Sequence, residues 1–560
     1  MSQRILIGVA WPYANGSLHM GHIAGCYLSA DIFARFHRMN GNQVLMVSGS
    51  DQHGTPITIR AEQEHVSPED VVSKYHKEFL SSWEKMGISF DLFTTTGTEN
   101  HRQTVHDIFT TLLDKNYIYT KTVPLPYCHT CKRSIPDRYL KGTCPNCGNL
   151  DARGDQCDNC GKPMNPEDLI DIKCRISGDK PEIRNSEHFF LRLSAFQKPL
   201  LEWVNKQTHW RPNVLNFTRR YIEDGLIDRA ITRDLDWGID VPVTGFENKK
   251  IYVWFEAVIG YLSASKEWAN TTNDPEAWKD FWQKDAKVYN FLGKDNIPFH
   301  TIIWPAMLMG VGGLNLPYDV PANEFLNLEG YQLSTSRNWA VWIPEYLEKY
   351  DKEQLRYYLS ANMPESGDSD FSWKDFVRRN NDELVATYGN LVHRVLTFTY
   401  RNFDQSIPKP LKLTTNENQF LEKVNSLFSE VTQQLEECHF RNALLNAMAI
   451  AQEANRFLET SAPWKTIKTD RETAGTTMWV ALSAINCLKM ALYPFLPSTS
   501  QKLHEFLGFS DLIEKHTWAW HSSETNLPPG QRLNNPEALF VKFEDEMAEE
   551  ESSKLGIEPQ

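Results

Sequence analysis

The 560-residue chain has no uninterrupted apolar run that approaches the roughly 20 residues a helix needs to cross a bilayer. Its beginning, MSQRILIGVAWPY, also lacks the long apolar region of a secretion signal, because Trp11 and Pro12 interrupt it. We therefore expect no membrane span, and a cytoplasmic protein whose first apolar segment is a β-strand.

The chain has fewer basic than acidic residues: 58 Lys and Arg compared with 72 Asp and Glu, which gives a formal net charge of −14. This balance argues against a protein that coats nucleic acid without specificity. It leaves an RNA substrate open, because a multidomain protein can carry a local basic face on an acidic body. Seven of the acidic residues lie in Glu544–Glu558, within the end segment Phe543–Gln560, which we expect to be a frayed tail.

Cysteine is scarce and unevenly placed: seven of the ten Cys lie between Cys128 and Cys174. In a chain without a secretion signal, CxxC pairs indicate metal binding rather than disulfides. Two CxxCG sequences supply four thiolates, the tetrahedral set of structural Zn²⁺. A reduced cluster without metal is the alternative. The predicted zinc ligands are Cys144, Cys147, Cys157 and Cys160.

The order of apolar segments predicts a parallel sheet. Arg4–Ala10 and Gln43–Val47 are typical of buried strands, and Leu18–Arg38, capped by Ser17, is typical of the crossover helix between them. Such a βαβ unit places its two strands parallel in one sheet. Further predicted elements are the helices Pro68–Met86, Glu99–Lys115 and Thr301–Met309 and the strands Ile251–Phe255 and Val288–Leu292.

Two histidines lie in the first turn of that crossover helix. At positions i and i+3, His19 and His22 share one helical face, and Gly21 between them leaves room for a ligand against the backbone. The free N–H groups and positive dipole end of a helix N-terminus attract anions. Donors held there could stabilise the charge that develops on a triphosphate under attack. The plainer alternative is that both histidines only cap the helix or bind a metal.

The segment AWPYANGSLHMGHI closely resembles the first signature of the class I aminoacyl-tRNA synthetases, in the form of the methionyl subgroup. The similarity continues, in the order of that family, through SGSDQHGTPI (48–57), YVWFEAVIGY (252–261), FLGKDNIPFHTIIWPAML (291–308) and LRYYL (355–359). The resemblance implies an α/β fold: a class I Rossmann-type parallel-sheet catalytic domain, a zinc-knuckle insertion and a C-terminal α-helical anticodon-binding bundle.

The reaction implied by this resemblance is that of a methionine–tRNA ligase. L-methionine is activated by ATP to methionyl-adenylate and then transferred to the 3′ end of tRNA(Met). The carboxylate attacks the α-phosphate in line, so positioning and charge stabilisation supply most of the catalysis. The implied catalytic residues are His19, His22 and Arg337. The implied ATP-binding residues, with Mg²⁺ accompanying the nucleotide, are Tyr13, Asn15, His19, His22, Gly293, Asp295, Ser334, Thr335 and Ser336.

The second signature of the family departs from its usual KMSKS form. Residues 332–338, here called the second-signature loop, read QLSTSRN, so both lysines of the pattern are missing, at Gln332 and Thr335. Arg337 remains and could supply part of the charge, although its planar fork approaches a phosphate differently from a lysine. A paralogue that has lost adenylation is the alternative.

The resemblance also implies a methionine pocket, which should be aromatic with a few polar anchors. The matching positions are Trp11, Pro12, Tyr13, Asp51, Trp254, Ala257, Tyr261, Asp295 and His300. Taken singly, Trp254 and Tyr261 would be read as core residues. Ile303 occupies a position where relatives commonly have an aromatic residue, so we expect the shape of the pocket to differ from theirs in that region.

A second zinc is left open. Relatives with two zinc ions in this insertion use four further Cys, whereas this chain offers Cys128, Cys131 and Cys174, with Ser177 where a partner would stand. An outside ligand such as His129 or water would have to complete that site.

The C-terminal helices contain a set of RNA-reading residues by the same resemblance. Asn390 and Arg394 lie at i and i+4 in YGNLVHR, and Pro463 and Trp464 follow another helix in SAPWK. Amide, guanidinium and aromatic groups can hydrogen-bond to and stack on unpaired bases, here those of the CAU anticodon. The alternative is a core tryptophan and a solvated arginine. No oligonucleotide-binding β-domain follows, so we expect a monomer.

The resemblance divides the chain into units. These are the first half of the catalytic domain (1–116), the connective insertion with zinc knuckles (117–236), the second half (237–325), the KMSKS-like loop and stem-contact region (326–385), the helical anticodon-binding domain (386–540) and an acidic tail (541–560). Competing hypotheses are a paralogue with another adenylating or amide-forming reaction and a non-catalytic RNA-binding scaffold. Synthetases for valine, isoleucine or leucine are disfavoured, because their large editing insertion is replaced here by a short insertion dominated by zinc knuckles.

Overall fold

The computed structural model describes residues 2–135, 139–154, 157, 159 and 168–556. The strands are β1 Arg4–Val9, β2 Gln43–Ser50, β3 Leu92–Thr95, β4 Ile118–Cys128, β5 Arg133–Ser134, β6 Leu140–Thr143, β7 Ala152–Arg153, β8 Ile170–Cys174, β9 Glu182–Leu191, β10 Arg229–Ala230, β11 Thr232–Arg233, β12 Lys250–Ile251, β13 Ala286–Gly293, β14 Pro317–Asp319, β15 Ala322–Asn323, β16 Leu326–Leu328, β17 Tyr331–Gln332 and β18 Ser369–Phe371.

The α-helices are α1 Met20–His22, α2 Leu28–Met39, α3 Thr55–Glu64, α4 Pro68–Met86, α5 Glu99–Asp114, α6 Gln197–Val204, α7 Pro212–Glu223, α8 Val253–Glu256, α9 Gly260–Thr271, α10 Lys279–Trp282, α11 Trp304–Val311, α12 Ile343–Lys349, α13 Lys352–Ala361, α14 Trp373–Arg379, α15 Asn390–Asn402, α16 Thr415–Glu436, α17 Phe440–Ser461, α18 Pro463–Thr466, α19 Arg471–Leu492, α20 Pro497–Phe506 and α21 Glu546–Ser552. No helix in the described ranges is long and apolar enough to cross a membrane.

A parallel sheet in the order β14-β13-β1-β2-β3 forms the centre of the catalytic region. On the central strand β1, Gly8 pairs with Val47 of β2 on one side and with Asn290 of β13 on the other. The order of strands therefore reverses beside β1: β2 and β3 lie on one side of it, and β13 and β14 on the other. Open parallel sheets bind ligands at such a point, beyond the carboxyl ends of their strands. The predicted strands at the start of the chain, at Gln43–Val47 and at Val288–Leu292 are confirmed.

The first crossover helix begins later than predicted, and its cap is not Ser17. His19 is the N-cap residue, and the helical segment runs from Met20 to Met39 through a π-helical stretch at Ile23–Tyr27. An imidazole nitrogen takes the acceptor role that a Ser hydroxyl usually fills. The predicted Ser17 cap and Leu18 start are therefore wrong, each by two residues.

The predicted strand Ile251–Phe255 is wrong beyond Ile251. Only Lys250–Ile251 pairs as a strand, with Thr232–Arg233, and Val253–Glu256 is a helix. A short apolar run has the same composition in a buried strand and in a buried helix turn, so its type depends on the tertiary environment.

The insertion is made of antiparallel strands. β4 and β9 form a long pair, extended to β10-β9-β4-β5, and a smaller sheet has the order β7-β6-β8. The smaller sheet and its surroundings have a core of their own that includes Cys128, Cys144, Cys157 and Cys174. Because so few apolar residues are available there, a metal is an expected source of stability.

The C-terminal region is a helical bundle, as predicted. α16 and α17 are amphipathic and pack together, with the rings of Phe420 and Phe457 stacked at a centroid distance of 4.4 Å. α19 is buried along most of its length between its neighbours. One continuous hydrophobic core joins this bundle to the catalytic sheet.

The acidic end of the chain is folded, so the prediction of a frayed tail is wrong through Gly556. The Tyr350 hydroxyl donates to the Glu551 carboxylate at 2.8 Å, and the Gly556 N–H donates to the Asn338 carbonyl at 3.0 Å. The ring of Phe543 stacks on that of Phe376 at 5.7 Å. The charge count alone missed these apolar and hydrogen-bonded anchors.

Candidate functional site

The first signature ends in two imidazoles whose hydrogen bonds define their tautomers. The Gly21 N–H donates to His19 Nδ1 and the His19 N–H donates to His22 Nδ1, each at 3.1 Å. A backbone N–H can only donate, so both Nδ1 atoms are acceptors and a neutral ring holds its proton on Nε2. The two ring centroids are 3.9 Å apart. Two Nε2–H donors are thus held side by side at a helix N-terminus.

Both rings are neutral at physiological pH. Burial lowers the pKa of His19 well below its usual value, and the neighbouring His22 lowers it further. Burial likewise lowers the pKa of His22 to about 4. The site therefore offers neutral hydrogen-bond donors rather than two imidazolium charges.

The chain after the second-signature loop lies against these histidines. The Met20 N–H donates to the Val341 carbonyl at 3.0 Å, and the rings of His19 and Trp342 meet edge to face at 6.0 Å. A Cβ atom on Gly21 would stand 2.5 Å from Leu333 of the loop. Gly21 is therefore needed for close packing of the two signatures, a reason that the sequence reading did not include.

The second-signature loop is a short hairpin. Ser334 and Trp339 exchange backbone hydrogen bonds of 2.9 Å in both directions, around a single 3-10 turn at Thr335–Arg337. Asn338 closes the turn with a left-handed φ of 53°. Thr335 and Arg337 are exposed, and no residue in the described ranges forms an ion pair with Arg337. Its guanidinium is free to meet an anion.

Residues of the predicted pocket come together at the carboxyl end of β1. The buried Tyr261 hydroxyl lies 2.7 Å from His300 Nε2, and His300 Nδ1 lies 2.9 Å from the Asn296 carbonyl. Because burial lowers the pKa of His300 to about 4, the ring is neutral and donates from Nδ1 while accepting from Tyr261. Ile303, where relatives have an aromatic residue, is half-buried at the end of the same π-helical turn.

Trp11 forms one wall of this pocket. Its ring stands edge-on to Tyr261 at 6.5 Å, and Cβ atoms on Gly49 or Gly260 would lie 2.3 and 2.7 Å from it. The indole therefore fits between two backbone segments that have no side chains there. Gly49 and Gly260 belong to the site for steric reasons, although they were not among the predicted residues.

Trp254 and Tyr13 form the opposite, solvent-facing wall. The Trp254 indole N–H donates to the Tyr13 hydroxyl at 2.8 Å, and Trp254 is 39% exposed. It is a rim residue, so the reading of Trp254 as a core aromatic does not hold. Pro12 follows β1 and Asp51 follows β2. The Asp51 N–H donates to the Pro12 carbonyl at 2.8 Å, which joins the segments that leave the two strands.

Asp51 is the buried carboxyl group of the pocket. Burial raises the pKa of Asp51 well above its usual value, and the nearby Glu256 carboxylate raises it further. Ala257 follows Glu256 at the start of a 3-10 turn. A cationic ammonium group in the pocket would relieve this unfavourable burial.

The remaining nucleotide-binding candidates lie at the ends of β1 and β13. Gly293 is the last residue of β13, and Asp295 is exposed in the 3-10 turn that follows. Between them, Lys294 is held by Glu324 at 2.9 Å and Asp368 at 2.8 Å. Asn15 is half-buried in the loop after β1. The two signatures and these residues thus border one edge of the sheet.

A buried ionic network behind the pocket was missed from the sequence. Glu256, fully buried, contacts His53 Nδ1 at 2.6 Å and His101 Nε2 at 2.8 Å. Burial alone would raise the pKa of Glu256, but the His53 charge and hydrogen bonds from both rings lower it to about 2. Burial lowers the pKa of His53, and Glu256 more than reverses this, so that the net shift is upward. A carboxylate within the apolar sequence VWFEAVI was the available signal, since a buried charge needs partners.

Three of the four predicted zinc ligands come together. The sulfur atoms of Cys144, Cys147 and Cys157 lie within 4.8 Å of one another, and the Cys147 and Cys157 sulfurs are 3.6 Å apart. Two thiolates on a tetrahedral Zn²⁺ with bonds of about 2.3 Å stand about 3.8 Å apart, so these three fit such an ion. Cys160 lies outside the described residues.

The second cysteine cluster is equally compact. Cys128, Cys131 and Cys174 have their sulfur atoms within 4.8 Å of one another. The Ser177 hydroxyl lies 3.2 Å from Cys128 Sγ, at the place of a fourth ligand, and lowers the pKa of that thiol to about 7. His129, one of the outside ligands considered, contacts Glu182 instead. The donor set thus fits a metal completed by water or by the serine hydroxyl.

Two of the predicted anticodon-reading residues, Arg394 and Trp464, meet on the surface of the bundle. The Arg394 guanidinium lies 5.7 Å from the centre of the Trp464 ring and donates to the Asn455 amide oxygen at 2.8 Å. Trp464 is 37% exposed and Asn390 is exposed, whereas Pro463 is buried. Ala462 has a left-handed φ of 42°, which turns the chain so that Pro463 begins a new helix. The alternative of a core tryptophan does not hold.

Comparison with known proteins agrees with these features. The family of tRNA synthetases class I (M) matches residues 5–396, and the anticodon binding domain of methionyl tRNA ligase matches residues 407–558. A methionine–tRNA ligase of Dehalococcoides mccartyi (strain CBDB1) is 56% identical over 557 residues, with 100% of both chains covered. One from Thermomicrobium roseum is 50% identical, with 99% of both chains covered.

The fold is shared with a solved structure. Mycobacterium tuberculosis methionyl-tRNA synthetase in complex with methionyl-adenylate has a TM-score of 0.80 at 24% identity, over 96% of this chain and 100% of that one. At that identity the likeness concerns the fold alone. With the family match across both regions and relatives above 50% identity, the chain belongs to the methionyl group of the class I tRNA synthetases.

Proposed function

We propose that this chain is a methionine–tRNA ligase that forms methionyl-adenylate from L-methionine and ATP and transfers the methionyl group to the 3′ end of tRNA(Met). The names of full-length relatives at 50–56% identity support this proposal. The single structural observation that carries it is the pair of Nε2–H donors on His19 and His22, held side by side at a helix N-terminus that packs against the second-signature loop.

In the activation step, methionine lies between Trp11, Tyr261 and the Tyr13–Trp254 rim, with its ammonium group toward Asp51. The sulfur suits a pocket of aromatic rings and one neutral histidine, His300. The carboxylate then attacks the α-phosphate in line. The chain contributes orientation and donors at the place where negative charge increases, which is the usual source of catalysis in such transfers.

The nucleotide triphosphate would lie between the two signatures. His19 and His22 donate from one side, and the second-signature loop supplies Arg337 and the hydroxyl groups of Ser334 and Thr335 from the other. The side chain of Ser336, also a predicted ligand, is outside the described part of the structure. Gly293 and Asp295 border the nucleotide at the end of β13. Mg²⁺ accompanies ATP and neutralises phosphate charge when bound. Arg337 replaces, in part, the charge that two lysines supply in the usual second signature.

The remaining assignments follow from the family. Cys144, Cys147, Cys157 and Cys160 hold a structural Zn²⁺. The three Cys of the second cluster fit a possible second ion, which water or the Ser177 hydroxyl would have to complete. Asn390, Arg394, Pro463 and Trp464 read the CAU anticodon by hydrogen bonding and stacking. We propose a monomer that acts in the cytoplasm, which light scattering and cell fractionation would test.

ATP–pyrophosphate exchange with each amino acid in turn tests the proposal. We expect exchange that depends on methionine, with a weaker response to norleucine, which has the same length but no sulfur. Better exchange with another amino acid would contradict the assigned specificity. Absence of exchange with every amino acid, in folded protein, would favour the paralogue or scaffold hypotheses.

A further inference from the structure

A group of metal-ligating side chains lies in the C-terminal bundle, far along the chain from the cysteine clusters. The Asp511 carboxylate contacts His504 Nε2 through one oxygen and His516 Nε2 through the other, each at 3.1 Å. All three ligand atoms lie within 4.8 Å of one another. We propose that His504, Asp511 and His516 form a binding site for a divalent transition metal ion of the zinc class, independent of the aminoacylation site.

The separations between these atoms suit a shared ion. Two ligands at about 2.0–2.1 Å from a tetrahedral centre stand about 3.3 Å apart, close to the two observed nitrogen–oxygen distances of 3.1 Å. All three ligand atoms lie within 4.8 Å of one another, so an inward movement of the exposed Asp511 and His516 side chains would bring both imidazoles and the carboxylate onto one metal. The ion would replace the hydrogen bonds between Asp511 and the two rings.

His504 is fixed in position before any ion binds. Its side chain is fully buried, and its ring stacks on Phe509 at 4.5 Å with an interplanar angle of 7°. Its other nitrogen, Nδ1, lies 2.8 Å from Lys489 Nζ. Without an ion, the Lys489 ammonium donates to Nδ1 and the Nε2–H group faces Asp511. With Nε2 on a metal, the ring proton lies on Nδ1, so binding there requires Lys489 to be a neutral amine that accepts it.

The turn that brings Asp511 back to α20 is sterically fixed. Gly508 has a left-handed φ of 89°, and a Cβ atom there would stand 2.0 Å from the Arg532 carbonyl. The Ile513 N–H donates to the Gln501 side chain at 2.9 Å, which fixes the segment on the other side of Asp511. The three ligands therefore belong to a rigid stretch rather than to a mobile loop.

The donor set selects the class of metal. Two imidazole nitrogens and one carboxylate oxygen suit Zn²⁺ and its transition-metal neighbours, whereas Mg²⁺ and Ca²⁺ prefer oxygen ligands throughout. Asp511 and His516 are 47% and 36% exposed, so water can complete the coordination from the solvent side.

Such an ion would join two parts of the molecule. The segment that contains Asp511 and His516 leads to Trp518, whose ring packs on Phe36 of α2 and stacks on Phe428 of α16, each at 5.0 Å. The backbone N–H of Trp518 donates to the Met39 carbonyl at 2.8 Å. A metal between α20 and this segment would reinforce the contact of the bundle with the catalytic domain.

The test compares zinc uptake by the full-length chain and by His516→Ala, Asp511→Asn and His521→Ala. His521 is an exposed histidine nearby that is not part of the group, so His521→Ala is the matched control. Titration calorimetry with Zn²⁺ alone should show one more ion per chain in the wild type and in His521→Ala than in the two ligand variants. The cysteine sites are common to all four proteins and cancel in the comparison.

The chemical identity of the site is tested with Co²⁺. The difference spectrum between the wild type and His516→Ala should contain visible bands of nitrogen and oxygen ligation without the near-ultraviolet thiolate band that the cysteine sites give. Binding to the ligand variants should be at least about tenfold weaker. Equal uptake in all four proteins, or a thiolate band in the difference spectrum, would overturn the proposal. Melting curves without added metal confirm that the variants are folded.

Discussion

At the scale of single residues, each of the two signature histidines, His19 and His22, uses its two ring nitrogens for different roles. Nδ1 of each ring satisfies a backbone N–H at the start of the crossover helix, and Nε2 remains as a donor. Both histidines therefore do cap the helix, as the alternative interpretation of the sequence held. Because capping uses Nδ1 as an acceptor, it also places the ring proton on Nε2, and the proposed catalytic role depends on that tautomer.

Substitution of His19 can separate these tasks. His19→Ala should lose both the cap, worth about 1 kcal/mol of stability, and the Nε2 donor. His19→Asn should keep the cap and lose only that donor. Both should slow methionyl-adenylate formation by roughly 2–4 kcal/mol of transition-state stabilisation, with little change in methionine affinity. Exchange rates and thermal midpoints measure the two effects, and near wild-type exchange in His19→Asn would leave capping as its only role.

Arg337 is the charge that remains on the second-signature loop. Arg337→Ala should strongly slow adenylate formation in pre-steady-state experiments while methionine affinity stays nearly unchanged. A second change, Thr335→Lys, should partly restore the rate, because an ammonium group can reach a phosphate as a point charge. If Arg337 only holds the loop, the lysine will give no rescue, and the variant will lose stability as well as rate.

The buried network of Glu256 with His53 and His101 should give a characteristic pH dependence of stability. The folded pKa of His53 is raised, so its contribution is complete below its unfolded pKa of about 6.5 and is lost as the pH rises through the folded value. The folded pKa of Glu256, about 2, is lowered, so its contribution is lost only as the pH falls from about 4.3 toward 2.

Glu256→Gln should remove this behaviour. Breaking a buried ion pair costs about 3–5 kcal/mol, because it leaves the partners without compensation. Thermal midpoints measured from pH 5 to about pH 9 should be lower for the variant and should fall less steeply on the alkaline side. Glu99→Gln, which affects an exposed pair on α5, is the matched control and should change little. Parallel profiles for wild type and Glu256→Gln would contradict the assigned role.

At the scale of elements, the end of the chain acts as a structural segment. α21 and the residues after it contact α14 and the chain around Asn338, next to the second-signature loop. The Glu551 carboxylate accepts from Tyr350 and from Lys554, which compensates its burial. Of the acidic residues in the described part of this segment, Glu551 is at this bonded position and the others, Glu544, Asp545, Glu546, Glu549 and Glu550, are exposed.

Removal of the segment should therefore destabilise the fold. A chain that ends at Asp545 should melt several degrees lower, since about 1 kcal/mol corresponds to roughly 2–4 °C in a unit of 150–250 residues. Gly556→Ala should give a smaller decrease, because its Cβ would stand 2.1 Å from the Arg337 carbonyl. Gly367→Ala, at a glycine with open space around it, should melt like the wild type. Calorimetry that shows equal midpoints for all four would contradict this docking.

At the scale of the whole molecule, the proposed active site and the proposed anticodon site lie on separate domains joined by one continuous core. Trp464→Ala should lower kcat/KM for tRNA by the roughly 1–3 kcal/mol that stacking of one base on an aromatic ring contributes. ATP–pyrophosphate exchange without tRNA should not change. Leu445→Ala, at an exposed residue of α17, is the control. An equal loss in exchange and in aminoacylation would indicate misfolding rather than loss of anticodon reading.

Much of this molecule could be predicted from the sequence, because the relevant signals are local. Strands β1, β2 and β13 and helices α4 and α5 follow from the pattern of apolar residues, and the CxxCG spacings predict that Cys144, Cys147 and Cys157 meet. Signature sequences likewise indicate the site, since a few residues at fixed spacing determine how a strand end and a helix start present their groups.

Other features depended on contacts between distant parts of the chain. Glu256 meets His53 and His101 across 203 and 155 residues of chain, so only the tertiary fold brings them together. Gly21 needs its lack of a side chain because Leu333 packs against it. The helical form of Val253–Glu256, the His19 cap and the docked C-terminal segment likewise depend on neighbours far along the chain. The sequence by itself determined the strands, the main helices and the chemical groups of the site. Tertiary packing decided their partners and protonation, because burial and charge act through space rather than along the chain.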